Sequence, residues 1–98
     1  MTRNEAIAIL RAHADEIRAR GVTRLALFGS TARGEAGPQS DLDVVVDIEP
    51  DRKFSLLDLA SLRVLLCDIV GRETDVVIRE DLRPAFRDRI ARDSVPVI

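Results

Sequence analysis

Three aspartates stand where carboxylates could do chemistry. Asp41 and Asp43 open an apolar stretch, and Asp75 lies in the later segment Thr74-Asp75-Val76-Val77. Because side chains alternate along a strand, Asp41 and Asp43 should share one face. Two adjacent carboxylates repel each other, and hard oxygen ligands of this kind suit Mg²⁺ or Mn²⁺. The pair indicates a metal site, with a solvated strand entry as the plainer alternative.

Asp75 could complete such a site if its strand lies beside the strand of Asp43. Across a ladder, opposed side chains come within about 5 Å. Two divalent ions about 3.5–4 Å apart can then hold the attacking and leaving oxygens of an in-line phosphoryl displacement. Taken alone, Asp75 is equally consistent with an exposed strand aspartate, so its weight comes from Asp41 and Asp43.

A Gly-Ser pair supplies a candidate phosphate site. Gly29 lets the backbone turn sharply and approach a ligand, and Ser30 opens a short helical segment whose N–H groups can bind an anion. Arg33, one turn later, can reach the same phosphates as a fork-shaped donor. By itself Gly29-Ser30 is an ordinary turn with a helix cap. Beside the carboxylates, it predicts a site for a nucleoside triphosphate with Mg²⁺.

Several other sites are excluded by the residues present. Gly29 and Gly34 have the spacing of a Walker loop, but Glu35 stands where lysine is required, and no G-x-G-x-x-G occurs. A serine hydrolase is excluded because G-x-S-x-G is missing and the single histidine, His13, falls on the first predicted helix. The single cysteine, Cys67, allows no internal disulfide and no paired-cysteine zinc site.

Composition narrows the class of protein further. The 98 residues carry a net charge of −2, with no Trp, no Tyr and 3 Phe, which argues against direct nucleic-acid binding. No apolar run approaches the roughly 18 residues of a membrane span, and the first residues lack the apolar stretch of a signal peptide. We therefore expect one domain, residues 1–98, in the cytoplasm.

Hydrophobic periodicity and caps predict the elements that position these residues. A first helix is expected over 3–20, opened by a capping box of Thr2 and Glu5. A second helix begins after Ser55 and ends at Gly71, and a third is capped by Asp81 and runs to about 92. In the second helix a buried face is predicted for five residues: Leu56, Leu59, Leu62, Leu66 and Ile69.

Strands are predicted over 23–28, 41–48 and 73–79, with a short edge strand in the tail 94–98. The order of elements indicates an α/β (α+β) fold, a small mixed sheet with helices packed on one face. The other face is then partly exposed to solvent, and the three aspartates point to it.

The motif Leu27-Phe28-Gly29-Ser30-Thr31-Ala32-Arg33-Gly34, followed by Asp41-Leu42-Asp43, resembles that of the minimal nucleotidyltransferases of the DNA polymerase beta-like superfamily. Their hallmark is Gly-Ser, ten residues, and Asp-x-Asp. The resemblance extends to Asp75 and to the ending 81–98, so it spans nearly the whole chain. It implies the nucleotidyltransferase fold.

The resemblance also implies an activity, the Mg²⁺-dependent transfer of a nucleoside monophosphate from ATP. Asp41 and Asp43 would ligate two Mg²⁺ ions, and Asp75 would be the third ligand or the general base. Gly29, Ser30 and Arg33 would hold the triphosphate. The small members are typically antitoxins paired with a HEPN-domain toxin, and the MntA-like ones transfer AMP to a tyrosine of that toxin.

Two alternatives remain at this point. The chain could be a non-catalytic antitoxin that neutralises its partner by occlusion, or it could transfer a nucleotide to a small molecule or an RNA end. With no room for a second domain, a larger partner is expected to supply the acceptor.

Overall fold

A computed structural model describes residues 1–35, 37 and 41–98. Its strands are β1 (Val22–Phe28), β2 (Leu42–Ile48), β3 (Thr74–Ile78) and β4 (Val95–Pro96), and its helices are α1 (Arg3–Ala12), α2 (Ala14–Ala19), α3 (Gly29–Ala32), α4 (Leu56–Val70) and α5 (Pro84–Asp93). A 3-10 turn, Arg79–Asp81, joins β3 to α5.

The four strands form one mixed sheet in the order β3-β2-β1-β4. Strand β1 is antiparallel to both β2 and β4, whereas β2 and β3 are parallel. Parallel neighbouring strands need a long crossover connection, and helix α4 provides it between β2 and β3. The predicted mixed sheet is confirmed, and so is the edge strand in the tail.

The main core lies on one face of the sheet, under α1, α2 and α4. Alternate residues of the two central strands point into it and are buried: Val22, Leu25 and Leu27 from β1, and Leu42, Val44 and Val46 from β2. Leu62 and Leu66 of α4 and Leu10 of α1 meet them, each fully buried. Removal of this apolar surface from water is the main stabilising contribution to the fold.

The opposite face carries a smaller apolar cluster that the sequence did not indicate. Ile90 of α5 packs against Ala26 of β1 and Val45 of β2, with Phe28 and Val77 at its margin. This face was expected to be partly exposed to solvent. Helix α5 covers part of it and leaves the part that bears the carboxylates.

The N-terminal helix is interrupted, contrary to the prediction of one helix over 3–20. His13 separates α1 from α2 with φ −110° and ψ 21°. Helix α1 packs against α4, whereas α2 packs against β1. The bend at His13 lets the two helices contact these different elements, which the periodicity of the sequence cannot predict. The Thr2 hydroxyl accepts the Glu5 N–H at 3.2 Å, as half of the predicted capping box.

Helix α4 begins and ends where its sequence predicts. The Ser55 hydroxyl accepts the Asp58 N–H, the Asp58 carboxylate accepts the Ser55 N–H, and Gly71 ends the helix in the left-handed region at φ 78°. The predicted burial of Leu56 is wrong, since its side chain is 83% exposed. Leu56 is the first residue of the helix and lies beyond the edge of the sheet's main core.

The predicted cap of the last helix is also wrong. Asp81 belongs to the 3-10 turn, and the N-cap of α5 is Arg83, which makes no side-chain cap hydrogen bond. Pro84 occupies the first turn, where a missing N–H costs little. The Arg87 side chain instead donates to the carbonyls of Arg79, Glu80 and Leu82, and so ties α5 to the end of β3.

The segment from Gly34 to Ser40, with Gly37-Pro38 at its centre, is predicted from the sequence to be a loop, and residues 36 and 38–40 of it lie outside the described residues. In the part of the chain that the structure does describe, no helix is long and apolar enough to cross a bilayer.

Candidate active site

Asp43 occupies the centre of the candidate site because of the sheet register. It is the partner of Asp75 across the parallel β2–β3 ladder and of Phe28 across the antiparallel β1–β2 ladder. The predicted neighbourhood of the two strands is confirmed. Asp41 immediately precedes β2 and is exposed, as is Asp75, whereas Asp43 is half-buried.

The surroundings of Asp43 disfavour its ionised form. Partial burial raises the pKa of Asp43, and the neighbouring carboxylates of Asp75 and then Asp41 raise it further, while the Arg33 guanidinium acts in the opposite direction. Asp43 therefore interacts electrostatically with two carboxylates and one guanidinium, at the point where it lies opposite Phe28, the last residue of β1. A carboxylate in this setting gains from a nearby cation, whether a proton or a metal ion.

Gly29 makes the close approach of the turn to Asp43 possible. It follows Phe28 directly, has φ +74°, and a Cβ built on it would collide with Asp43 Oδ2 and lie 3.2 Å from Asp43 Cγ. Both the left-handed backbone and the space require glycine here. The glycine of the Gly-Ser pair thus brings the backbone of the turn against the central carboxylate.

The rest of the turn forms α3, which starts one residue earlier than predicted. Ser30 is its second residue and is partly exposed, and Arg33 is its C-cap. The Arg33 Nε donates to Glu35 Oε2 at 3.1 Å, and its Nη1 lies 3.9 Å from Asp93 Oδ2 of α5. Arg33 is therefore held between α3 and α5 on the side of the site occupied by the turn.

An open cleft of ≈ 600 Å³ contains Asp43 and Asp75. Its other walls are largely apolar and include Leu56 and Leu59 of α4, Phe28 of β1 and Phe86 of α5. A cleft of this size that combines apolar walls with a few charged groups is typical of ligand sites. The residues of α4 and α5 that line the cleft were not predicted from the sequence. The available signal was the pair Leu56 and Leu57, which do not belong to the main core.

Arg63 fixes the α4 wall of this cleft to the edge of the sheet. Its Nε donates to the carbonyl of Thr74 at 3.2 Å and its Nη2 to Glu73 Oε2 at 3.1 Å. Asp75 follows Thr74 directly, so Arg63 also helps to set the position of that carboxylate.

Among residues 1–35, 37 and 41–98, no group of three or more His, Cys, Asp or Glu side chains could hold a metal ion by itself. Asp41, Asp43 and Asp75 are close enough to influence one another electrostatically but are not drawn together into a cage. This arrangement fits Mg²⁺, which usually takes one or two carboxylates together with waters and substrate phosphates. The pKa of Asp43 is raised by its partial burial and by the neighbouring carboxylates of Asp75 and Asp41, and a bound cation would relieve the repulsion among these carboxylates.

Comparison with known proteins identifies the family of this chain. Residues 10–98 match the nucleotidyltransferase domain family. The protein adenylyltransferase MntA of Thermococcus cleftensis is 37% identical over 98 residues, which cover 99% of this chain and 97% of the relative. A solved structure of a candidate minimal nucleotidyltransferase is 35% identical, with a TM-score of 0.83 and coverage of 98% of this chain and 96% of that one.

A more distant solved structure shares the fold alone. It contains a tri-AMPylated HEPN toxin of Shewanella oneidensis in complex with an MNT antitoxin, is 13% identical with a TM-score of 0.68, and covers 94% of this chain and 71% of that one. The matches at higher identity extend over almost the whole length of both proteins. The chain therefore belongs to the nucleotidyltransferase domain family, as a homologue of the protein adenylyltransferase MntA.

Proposed function

We propose that this chain, acting as a single domain in the cytoplasm, transfers AMP from ATP to a tyrosine hydroxyl of a HEPN-domain toxin and thereby acts as its antitoxin. The observation that carries the proposal is the register of Asp43 opposite Asp75, with the Gly29 turn pressed against Asp43. This geometry places two carboxylates in one cleft and the Gly29 turn against one of them, Asp43. The MntA relative and the MNT–HEPN complex support the acceptor.

In this reaction the acceptor oxygen bonds to the α-phosphorus of ATP, the bond from that phosphorus to the bridging oxygen breaks, and pyrophosphate leaves. Asp41 and Asp43 would hold Mg²⁺, which supplies charge neutralisation at the phosphates. Gly29, Ser30 and Arg33 would orient the triphosphate. Asp75 would take the proton of the hydroxyl or act as a further ligand; a pH profile of the Asp75→Asn variant distinguishes these roles.

The direct test combines the purified chain, the HEPN protein of the same organism, Mg²⁺ and ATP labelled at the α-phosphate. We expect label on the HEPN protein and a loss of roughly 100-fold or more in the Asp43→Asn variant, as when a group that stabilises the transition state is removed. Asp47→Asn is the matched control. Asp47 lies on the same strand and face but pairs with Arg79 at 3.0 Å, outside the cleft.

Three results would count against the proposal. No transfer by the wild-type protein would do so, as would label placed on a residue other than tyrosine or equal losses in the Asp43 and Asp47 variants. A separate measurement tests the metal: Mg²⁺ with ATP should raise the melting temperature of the wild-type protein, by the equivalent of about 2.7 kcal/mol at a hundredfold excess over Kd. The Asp43→Asn variant should show a much smaller rise.

Neutralisation by occlusion is the second candidate, and the exposed apolar side chains favour it. Leu56, Leu57 and Val64 of α4 and Phe86 of α5 are between 42% and 83% exposed, and Leu56 and Phe86 both line the cleft, where apolar surface is available for contact with another protein. Expression of the toxin with an Asp41→Asn/Asp43→Asn double variant separates the two candidates. Full protection of the cells would assign the effect to binding, and loss of protection would assign it to AMP transfer.

A further inference from the structure

A second, smaller cavity of ≈ 170 Å³ lies between α3 and α5, beside the cleft that holds the carboxylates. Phe28 and Phe86 line both cavities, so the two are neighbours across these rings. Gly29, Arg33 and Arg89 also line the smaller one. It therefore adjoins the turn to which the proposed function assigns the triphosphate, and it contains a second arginine.

The two arginines of this cavity differ in their partners. Arg33 is paired with Glu35 and lies close to Asp93, which also lines the cavity, so part of its charge is already compensated. The Arg89 guanidinium carbon lies 6.0 Å from the centre of the Phe86 ring, a cation–π contact. With the described residues it makes no hydrogen bond and no ion pair, so its N–H donors remain available for a ligand.

The charges of the site require such a donor. A nucleoside triphosphate brings several negative charges next to Asp41, Asp43 and Asp75, and like charges repel. Divalent ions offset part of this repulsion, but the phosphates farthest from the carboxylates also need cationic partners. A guanidinium suits this purpose, since its planar fork donates two hydrogen bonds to a phosphate.

We propose that Arg89 is a second polyphosphate-binding residue, which together with Arg33 binds the β- and γ-phosphates of the nucleotide. The inference rests on the proposed function, because it takes the triphosphate to lie along the Gly29 turn. Phe86 holds the guanidinium beside the cavity, and the same ring forms part of the wall of the larger cleft.

The position of Arg89 is set by the packing of α5. The next residue, Ile90, is buried against Ala26 and Val45 of the sheet. Arg87, two residues earlier, anchors the first turn of the helix through its hydrogen bonds to backbone carbonyls. Arg89 therefore extends towards the cavity from a helix whose backbone is fixed against the sheet.

The test compares three variants, Arg89→Ala, Arg89→Lys and Arg92→Ala, with the wild-type protein. Arg92 is the matched control, an exposed arginine on the same helix that does not line the cavity. Binding of ATP and of inorganic tripolyphosphate, each with Mg²⁺, is measured by isothermal titration calorimetry, and binding of AMP serves as the reference. Circular dichroism and melting temperature show whether each variant is folded.

For Arg89→Ala we expect a rise of roughly tenfold or more in Kd for ATP and tripolyphosphate, as for loss of a charge-assisted hydrogen bond. AMP binding and the melting temperature should change little. Arg89→Lys should fall between wild type and alanine, because it keeps the charge and loses the fork. In steady-state transfer, the KM for ATP should rise more than kcat falls.

Unchanged affinity of Arg89→Ala for both polyphosphates would overturn the inference. An equal loss in Arg92→Ala would also overturn it, since the effect would then be one of overall charge. An equal loss of affinity for AMP would overturn it as well, because Arg89 would then contact a part of the nucleotide other than the β- and γ-phosphates. If wild-type protein binds tripolyphosphate through Arg89 but transfers no AMP, the proposed function fails and the inference stands.

Discussion

The two faces of the sheet use the same strands for different purposes. On the face under α1, α2 and α4, Leu42, Val44 and Val46 of β2 are almost completely buried. On the opposite face, Val45 is buried beneath α5, but Asp43 and Asp47 on either side of it are only half-buried. Because side chains alternate along a strand, Asp43 faces the candidate site while its neighbours Leu42 and Val44 face the main core.

Neighbouring residues of the same strand therefore differ in whether they belong to the main core or to the candidate site. The face with the main core is largely apolar, and a deletion there leaves a cavity. The face with the carboxylates tolerates charges that repel each other, a local cost that is typical of functional sites. The following variants test this division, from the largest expected change in stability to the smallest.

A deletion in the main core should have the largest effect. Leu66→Ala removes a fully buried side chain of α4, and we expect a loss of about 2–5 kcal/mol in the free energy of unfolding. Urea denaturation measures it. Leu57→Ala on the same helix is the control and should change stability by less than about 0.5 kcal/mol, because Leu57 is 83% exposed. A similar loss in both variants would contradict the division.

A deletion in the smaller cluster should affect both properties. Ile90→Ala loosens α5 over the sheet, and we expect a loss of about 2 kcal/mol, at the low end for a buried isoleucine because the cluster is small. Since α5 also carries Phe86 and Arg89, ATP affinity should fall as well. Urea denaturation and calorimetry with ATP measure the two effects. Lower stability with unchanged ATP affinity would show that α5 does not contribute to the site.

Removal of the central charge should stabilise the fold slightly while it abolishes transfer. Asp43→Asn has nearly the same shape and removes a charge whose partial burial, and whose repulsion from Asp75 and Asp41, raise the pKa of Asp43. Solvent screens this partly exposed group, so the expected gain at neutral pH is on the order of 0.5 kcal/mol. Urea denaturation with and without the substitution measures it, and a clear loss of stability would argue that Asp43 has a structural role.

The gain in the free energy of unfolding caused by Asp43→Asn should depend on pH in a defined direction. Because the pKa of Asp43 is higher in the folded state than its ordinary value of 3.8, the folded state binds the proton more tightly. In the wild-type protein, the contribution of the Asp43 carboxyl to the free energy of unfolding is therefore fully present at pH values below the ordinary aspartate pKa. This contribution is lost as the pH rises through the raised pKa. The difference between Asp43→Asn and wild type should shrink towards zero in acid; a difference that is constant with pH would exclude repulsion as its cause.

Much of the fold could be predicted because its signals are local. The alternation in β2, the cap at Ser55 and Gly71 at the end of α4 each depend on neighbours in the chain, and each lies as expected. The break at His13, the cap at Arg83 and the exposure of Leu56 were not found, because each depends on what the element packs against.

The candidate site likewise has some features that the local sequence predicts and others that depend on tertiary contacts. The types and spacing of Gly29, Asp41 and Asp43 already indicate a phosphate turn beside two carboxylates, since backbone freedom and charge are properties of the residues themselves. The sequence could not decide the register that sets Asp75 opposite Asp43, nor the placement of α5 on that face with Arg89 beside the turn. Those contacts join residues that are far apart in the chain, and the burial of side chains such as Ile90 and Val45 selects them only once the sheet has formed.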